Sequence, residues 1–320
     1  MVRRIRLALG AGVRGMPGGA SLLRLRRRSV AAFRRRMYPI RPPVHSPDHV
    51  AALSAVAVDH PFITGNGIAA RCRYVINYDE LEVNDDVQND WWFCRSDFVE
   101  YFFAEHEPRG DYVLFSHNSD RSIDESLHRF LRHRRLRAWF AANAAIHHPK
   151  LHALPLGIAN PRWRHGDGAA LARIQAQGLE KTVLFDASYD ISTAPRVREH
   201  CRDQTGIEPS TGRDFEEYLH SLASSYFCIA PRGNGIDTHR VWEALYLRTI
   251  PIVTRSVVSD QHAGVPMIVL DDWAAFRRVE FSPDLYERIW NGWSATEIDL
   301  DPYLKRVEQA LAGQLARTAT

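Results

Sequence analysis

One segment restricts the fold of this chain more than any other: residues 227–253, FCIAPRGNGIDTHRVWEALYLRTIPIV. The apolar run YFCIA at 226–230 reads as a buried strand, and Pro231 to Gly235 as a turn. Residues 238–247 then carry apolar side chains at helical spacing, and IPIV at 250–253 is a second short strand. A strand, a helix and a strand in such close succession form a parallel unit, because parallel neighbours need a crossover.

The same alternation runs through the chain. RCRYVINY (71–78), YVLFS (112–116), KTVLF (181–185) and residues 266–270 read as strands. Residues 96–105, 123–133, 194–204 and 214–224 read as helices, and 136–141 as a further short element. The pattern implies an α/β fold with parallel sheets of the doubly wound kind. The 320 residues exceed one minimal core. We therefore expect two Rossmann-like lobes facing a central cleft, 48–165 and 166–285, joined at the polar turn PRWRHGDG (161–168), with a helical segment at 286–320.

Charge separates the first 47 residues from the rest. Twelve arginines precede the first acid, Asp48, which leaves 29 basic against 38 acidic residues in the body despite a net charge of +3. An acidic body excludes a general nucleic-acid surface, and no specific nucleic acid is expected as a partner. Within 1–47, Leu22, Leu25, Ser29 or Val30, Phe33 and Met37 recur at roughly helical spacing among arginines. The segment reads either as a disordered Arg-rich leader or as a basic amphipathic helix on an anionic membrane. Cys72, Cys94, Cys201 and Cys228 are widely spaced, without zinc-ligand spacing, and no apolar run reaches the length of a membrane span. The expected location is cytoplasmic, with peripheral contact at the inner face of the membrane as the further option. Eight tryptophans supply rings that stack on sugars, although packing accounts for most such residues.

Ligands of open parallel sheets bind at the carboxyl ends of strands. The 231–237 turn sits at such an end, and its glycines let a backbone approach a ligand closely. The following helix directs free N–H groups at the turn, and Arg232 and Arg240 bracket its start. Together they form a candidate pyrophosphate cradle. The same residues have structural uses: Asp237 as an N-cap or as a partner for Arg240, and Glu243 as a solvated helix face.

The segment resembles the nucleotide-sugar-binding half of exostosin-like glycosyltransferases, family 47 and relatives. The resemblance is carried by Pro231 to Asp237, Thr238, Arg240, Trp242-Glu243-Ala244-Leu245 and Ile250 to Val253, and more weakly by FSHNSD (115–120), Trp139-Phe140, 150–160, Ser192-Thr193 and Arg196. It implies a GT-B fold and a UDP-type donor held by the second lobe with no cofactor and no metal. It implies an inverting outcome and an acceptor that is a glycan or lipid-linked hydroxyl. It assigns Arg232 and Arg240 to the diphosphate, Glu243 to the ribose, and Asn234 and Asp237 to the vicinity of the sugar. Gly233, Gly235 and Thr238 belong to the same donor site, and Thr193 and Arg196 support it. Arg248 stands where the family usually has a helix-ending glycine.

Inversion in one step needs a general base. The turn His117-Asn118-Ser119-Asp120 follows a buried strand, so Asp120 is the first candidate, His117 the second, and the acidic loop Glu82, Asp85, Asp86 and Asp90 the third. Asp120 also has a capping use near Ser122. Two other classes remain open: a non-catalytic nucleotide- or glycan-binding protein, and a membrane-surface adaptor working through residues 1–47.

Overall fold

The structure, a computed structural model, describes residues 60–77 and 81–318; the expectations for 1–47 fall outside them. Two parallel-dominated sheets form the frame. The first contains β1 (Tyr74–Ile76), β2 (Glu82–Val83), β3 (Trp91–Arg95), β4 (Tyr112–His117), β5 (Leu136–Ala141) and β6 (Leu151–Ala153), in the spatial order 2-1-3-4-5-6. Only β2 is antiparallel, paired to β1 at the edge. The second sheet is wholly parallel: β7 (Val183–Asp186), β8 (Ser225–Ile229), β9 (Ile250–Thr254) and β10 (Ile268–Leu270), in the order 10-9-8-7.

The α/β class and the parallel strands agree with the sequence pattern, but the winding differs from a doubly wound sheet. In each sheet the parallel strands advance in one direction, with no reversal of order. Right-handed crossovers that always step the same way put their connections on one face. In the first lobe that face carries α2 (Val99–Tyr101) with the π-helical turn 102–106, and α3 (His128–Leu131). Val99, Phe102, Leu127 and Leu131 pack there against Trp92, Leu114 and Trp139. The opposite face presents Trp91, Phe93, Val113, Phe115 and Phe140, as the two-residue repeat of a strand requires. No crossover covers it. Instead α1 (Gly65–Ala70) does, together with α10 (Leu300–Thr318), which arrives from the far end of the chain and buries Leu300, Leu304, Val307 and Leu311. The 286–320 segment is therefore divided: its last helix completes the first lobe.

The second lobe packs α4 (Gly168–Gln177), α5 (Pro195–Thr205), α6 (Phe215–Ala223), α7 (His239–Tyr246) and α9 (Pro283–Trp290) around its sheet, while α8 (Val257–Gln261) sends Val258 into the core of the first lobe. Helix ends follow local chemistry. Asp214 and Glu217 form a reciprocal capping box on α6, and Gly178 and Gly206 end α4 and α5 in the left-handed conformation. After α7 the left-handed residue is Arg248, φ 58°, where a glycine would be easiest. Its carbonyl accepts from Tyr286 Oη at 2.7 Å, and its guanidinium lies 5.8 Å from the Trp290 ring centre. Among the described residues no helix is long and apolar enough to cross a membrane.

Candidate functional site

The carboxyl ends of β4, β7 and β8 border one cleft of about 1100 Å³ between the sheets. On its second-lobe wall, Arg240 stands in the first turn of α7. Its guanidinium carbon is 5.8 Å from the ring centres of both Tyr189 and Tyr218, and its buried Nε has no hydrogen-bond partner. Arg198, from α5, lies 5.8 Å from the Tyr189 ring centre and is only 7% exposed. It donates through Nη1 to the Asp190 carbonyl at 2.5 Å and through Nε to the Arg232 carbonyl at 3.2 Å. Neither arginine forms a salt bridge with a carboxylate of a described residue. Burial, and the repulsion of Arg240, lower the Arg198 pKa. Both guanidinium groups thus face the Tyr189 ring in the cleft, with the Glu243 and Asp186 carboxyl groups acting on Arg240 through space rather than as salt-bridge partners.

Glu243, one turn further along α7, is buried and accepts from Tyr218 Oη at 2.7 Å. Burial pushes its carboxyl up to about 7, against the opposing pull of Tyr218 and Arg240. Arg213 lines the cleft beside it and is anchored to buried Asp186 at 3.4 Å, with Ser188 Oγ at 2.9 Å and Ser221 Oγ at 2.8 Å.

The glycine turn is shaped mainly by the neighbouring lobe. Asn143, buried at the end of β5, accepts through Oδ1 from the N–H groups of Ile236 (2.8 Å) and Asp237 (3.1 Å). A Cβ on Gly235 would stand 2.7 Å from that oxygen, so Gly235 makes room for Asn143. A Cβ on Gly233 would stand 3.3 Å from Arg198 Nη2, so Gly233 lets the arginine reach the turn. Asp237 lines the cleft, but its carboxylate is occupied. It accepts from Leu156 N–H at 3.0 Å, Trp242 Nε1 at 2.7 Å and Thr238 N–H at 2.8 Å, and burial raises it to about 7. It ties the two lobes together beside the site. Thr238 lines the cleft, and its Oγ1 is buried without a partner.

The remaining sequence candidates separate by position. Thr193 lines the cleft, whereas Arg196 is exposed and outside it; the helix face that turns inward carries Arg198, Cys201 and Thr205. That spacing of three and four residues is a signal the sequence already held. Arg232 is exposed and outside the cleft lining, its Nη2 3.4 Å from the Asn234 carbonyl. Asn234 reaches across instead, donating to Asp120 Oδ2 at 3.3 Å. Glu82, Asp85, Asp86 and Asp90 are exposed and do not line the cleft.

His117 lines the cleft but is closed at both ring nitrogens. Nδ1 accepts the Asn118 N–H at 2.6 Å, so Nε2 carries the proton and donates to the Leu156 carbonyl at 3.0 Å. Burial lowers its pKa to about 4. Asp120, by contrast, is exposed. A residue absent from the sequence candidates is placed differently: His239 donates Nδ1–H to the Gly157 carbonyl at 2.8 Å, which leaves the Nε2 lone pair unused, and it lines the cleft. Burial, with the backbone hydrogen bond opposing, lowers it to about 4, so it is neutral at pH 7.

Comparison with protein-family models and with curated proteins finds no match.

Proposed function

We propose that this chain is a glycosyltransferase of GT-B type that takes a sugar from a nucleotide-sugar, UDP-linked by the resemblance of residues 231–253, and passes it to a hydroxyl acceptor. The observation that carries the reading is the pair Arg198 and Arg240, held against Tyr189 and Tyr218 in the cleft, Arg240 at a helix start, neither in a salt bridge with a described residue. A diphosphate matches that charge and geometry, and Glu243, one turn on, is in sequence reach of the attached ribose. Charge developing on the leaving diphosphate then meets fixed guanidinium groups, which is the differential stabilisation a transferase needs. Because two arginines supply this charge, transfer is expected to persist in EDTA.

The acceptor proton goes to a base facing the donor. Asp120, exposed and within hydrogen-bond distance of Asn234, is that base in this reading. One observation favours the second class, a nucleotide-binding protein without transfer: His117 has no free nitrogen to act in its place. Calorimetry with UDP and UDP-sugars, followed by turnover of labelled donors, tests both. UDP binding lost in Arg240→Ala together with sugar release supports the transferase. Binding without release or transfer selects the second class, and absence of binding by any nucleoside diphosphate overturns both.

A further inference from the structure

Trp163 is a large apolar side chain left half in water: it is 51% exposed, and it lines the cleft. Most tryptophans of this chain are buried, including Trp139, Trp242, Trp273 and Trp290. The exposure is not the result of a loose loop. Trp163 N–H donates to the Asn160 carbonyl at 3.0 Å, and Gly166 N–H donates to the Trp163 carbonyl at 2.9 Å. A Cβ on Gly166 would stand 2.1 Å from the Asn160 oxygen, so the turn closes tightly on itself. Asn160 is buried in turn: its Oδ1 accepts from Asn66 N–H at 2.9 Å and its Nδ2 donates to Asn118 Oδ1 at 2.8 Å. The backbone that carries the indole is held in the cleft, and the half-exposed ring, flanked by the His165 ring at 6.3 Å between centres, offers a stacking surface.

Its surroundings are cationic. The Arg162 guanidinium carbon lies 4.9 Å from the Trp163 ring centre. Arg164 also lines the cleft, is exposed, and forms no salt bridge with a described residue. We infer that Trp163 and Arg164 form a saccharide subsite, in which a pyranose ring lies on the indole and an anionic substituent of the sugar meets the guanidinium. This rests on the glycosyltransferase reading in one respect, that the saccharide is the acceptor. The subsite itself is defined by the ring and the charge.

The test measures saccharide binding to the full chain without any donor. Calorimetry with oligogalacturonides, and with neutral cello- and malto-oligosaccharides, is run on wild type, Trp163→Ala, Trp163→Phe and Arg164→Ala, with UDP binding measured in parallel. The oligogalacturonide is expected to bind best. Trp163→Ala is expected to weaken it at least tenfold, with Trp163→Phe recovering most of the loss. Arg164→Ala is expected to weaken the oligogalacturonide several-fold, in a salt-sensitive way, and to leave neutral oligomers unaffected. UDP affinity should stay unchanged in every variant. No binding of any oligosaccharide by wild type, equal binding by Trp163→Ala, or no preference for the charged oligomer overturns the inference. Failure of UDP to bind while the Trp163 effect persists overturns the transferase reading and leaves the saccharide subsite standing.

Discussion

Arg196 and Arg198 differ by two positions in the sequence and by everything that matters at the site. Arg198 shares a helix face with Cys201 and Thr205 and is buried, and Arg196 is exposed. Arg198→Ala is therefore expected to weaken UDP binding tenfold or more, and Arg196→Ala to change it less than twofold, measured by calorimetry. Arg240→Lys keeps the charge but loses the planar fork held between Tyr189 and Tyr218. It is expected to lower turnover by about tenfold or more while weakening UDP-sugar binding less, because the lost interaction strengthens as the leaving group gains charge. Glu243 gives a stability test with a definite sign. Its folded pKa is raised to about 7, so between the unfolded value and 7 the folded state holds a proton that the unfolded state has released. Stability contributed by this group thus falls as pH rises through that window. Glu243→Gln removes the penalty while retaining an acceptor for Tyr218. The variant should be more stable than wild type at pH 8, by on the order of 1–3 kcal/mol, with the difference fading towards pH 4.5. The same variant should bind UDP more weakly. A denaturation series across pH that shows no convergence would remove the buried-carboxylate account. Arg240 and Glu243 could be picked out as candidates because they lie in one dense stretch of sequence. Tyr189 and Tyr218 could not, because only the folded lobe brings their elements around one guanidinium, and the helix-face spacing of Arg198 marks it as inward-facing without showing what it faces.

At the scale of elements, most helices and strands were readable because each carries its own signal. The apolar runs at 112–116 and 250–253 lie in β4 and β9, 226–230 overlaps β8 up to Ile229, and 194–204 and 214–224 overlap α5 and α6 closely. The reason for the glycine turn was not readable. A sequence shows that Gly235 lacks a side chain, but not that Asn143, 92 positions earlier, occupies the vacated space. The docking predicts that Gly235→Ala and Asn143→Ala damage the same contact. Gly235→Ala forces Asn143 away, and Asn143→Ala leaves the Ile236 and Asp237 N–H groups without their acceptor, at about 1–3 kcal/mol for a buried donor. Each single variant should lower the melting midpoint and weaken UDP binding. The double variant should cost clearly less than the sum, because residues in contact do not act independently. Additive losses in a double-mutant cycle would show that the two positions act separately.

At the scale of the whole molecule, the one-way strand order has a consequence for the end of the chain. Crossovers that all fall on one side leave the other face of the first sheet apolar and open, and α10 closes it. The approach to α10 also passes through a junction between the lobes. Ile63 N–H donates to Tyr246 Oη at 3.0 Å, Tyr246 donates to the Ile298 carbonyl at 2.6 Å, and Leu300 N–H donates to the Pro61 carbonyl at 2.7 Å. Tyr246 is the last residue of α7, whose first turn holds Arg240, so this helix is bound at its far end both to the start of the described residues and to the approach to α10. None of this is visible in local pattern, since α10 reads simply as a helix whose partners lie more than 140 residues away. The junction predicts one cooperative unit rather than two independent lobes. Leu304→Ala empties a buried position in the core cluster that also holds Ile63, Ile68 and Phe115 and should cost about 2–5 kcal/mol. In a chain of this length that corresponds to a fall of roughly 4–9 °C in midpoint. Although Leu304 is remote from the cleft, the second lobe should lose stability with the first, and calorimetry should show a single transition that moves as a whole. UDP should raise that transition in both wild type and variant, because ligand binding to the folded state stabilises everything that unfolds with the site. A split thermogram, in which Leu304→Ala shifts one transition and UDP shifts only the other, would show that α10 completes the first lobe without coupling it to the second.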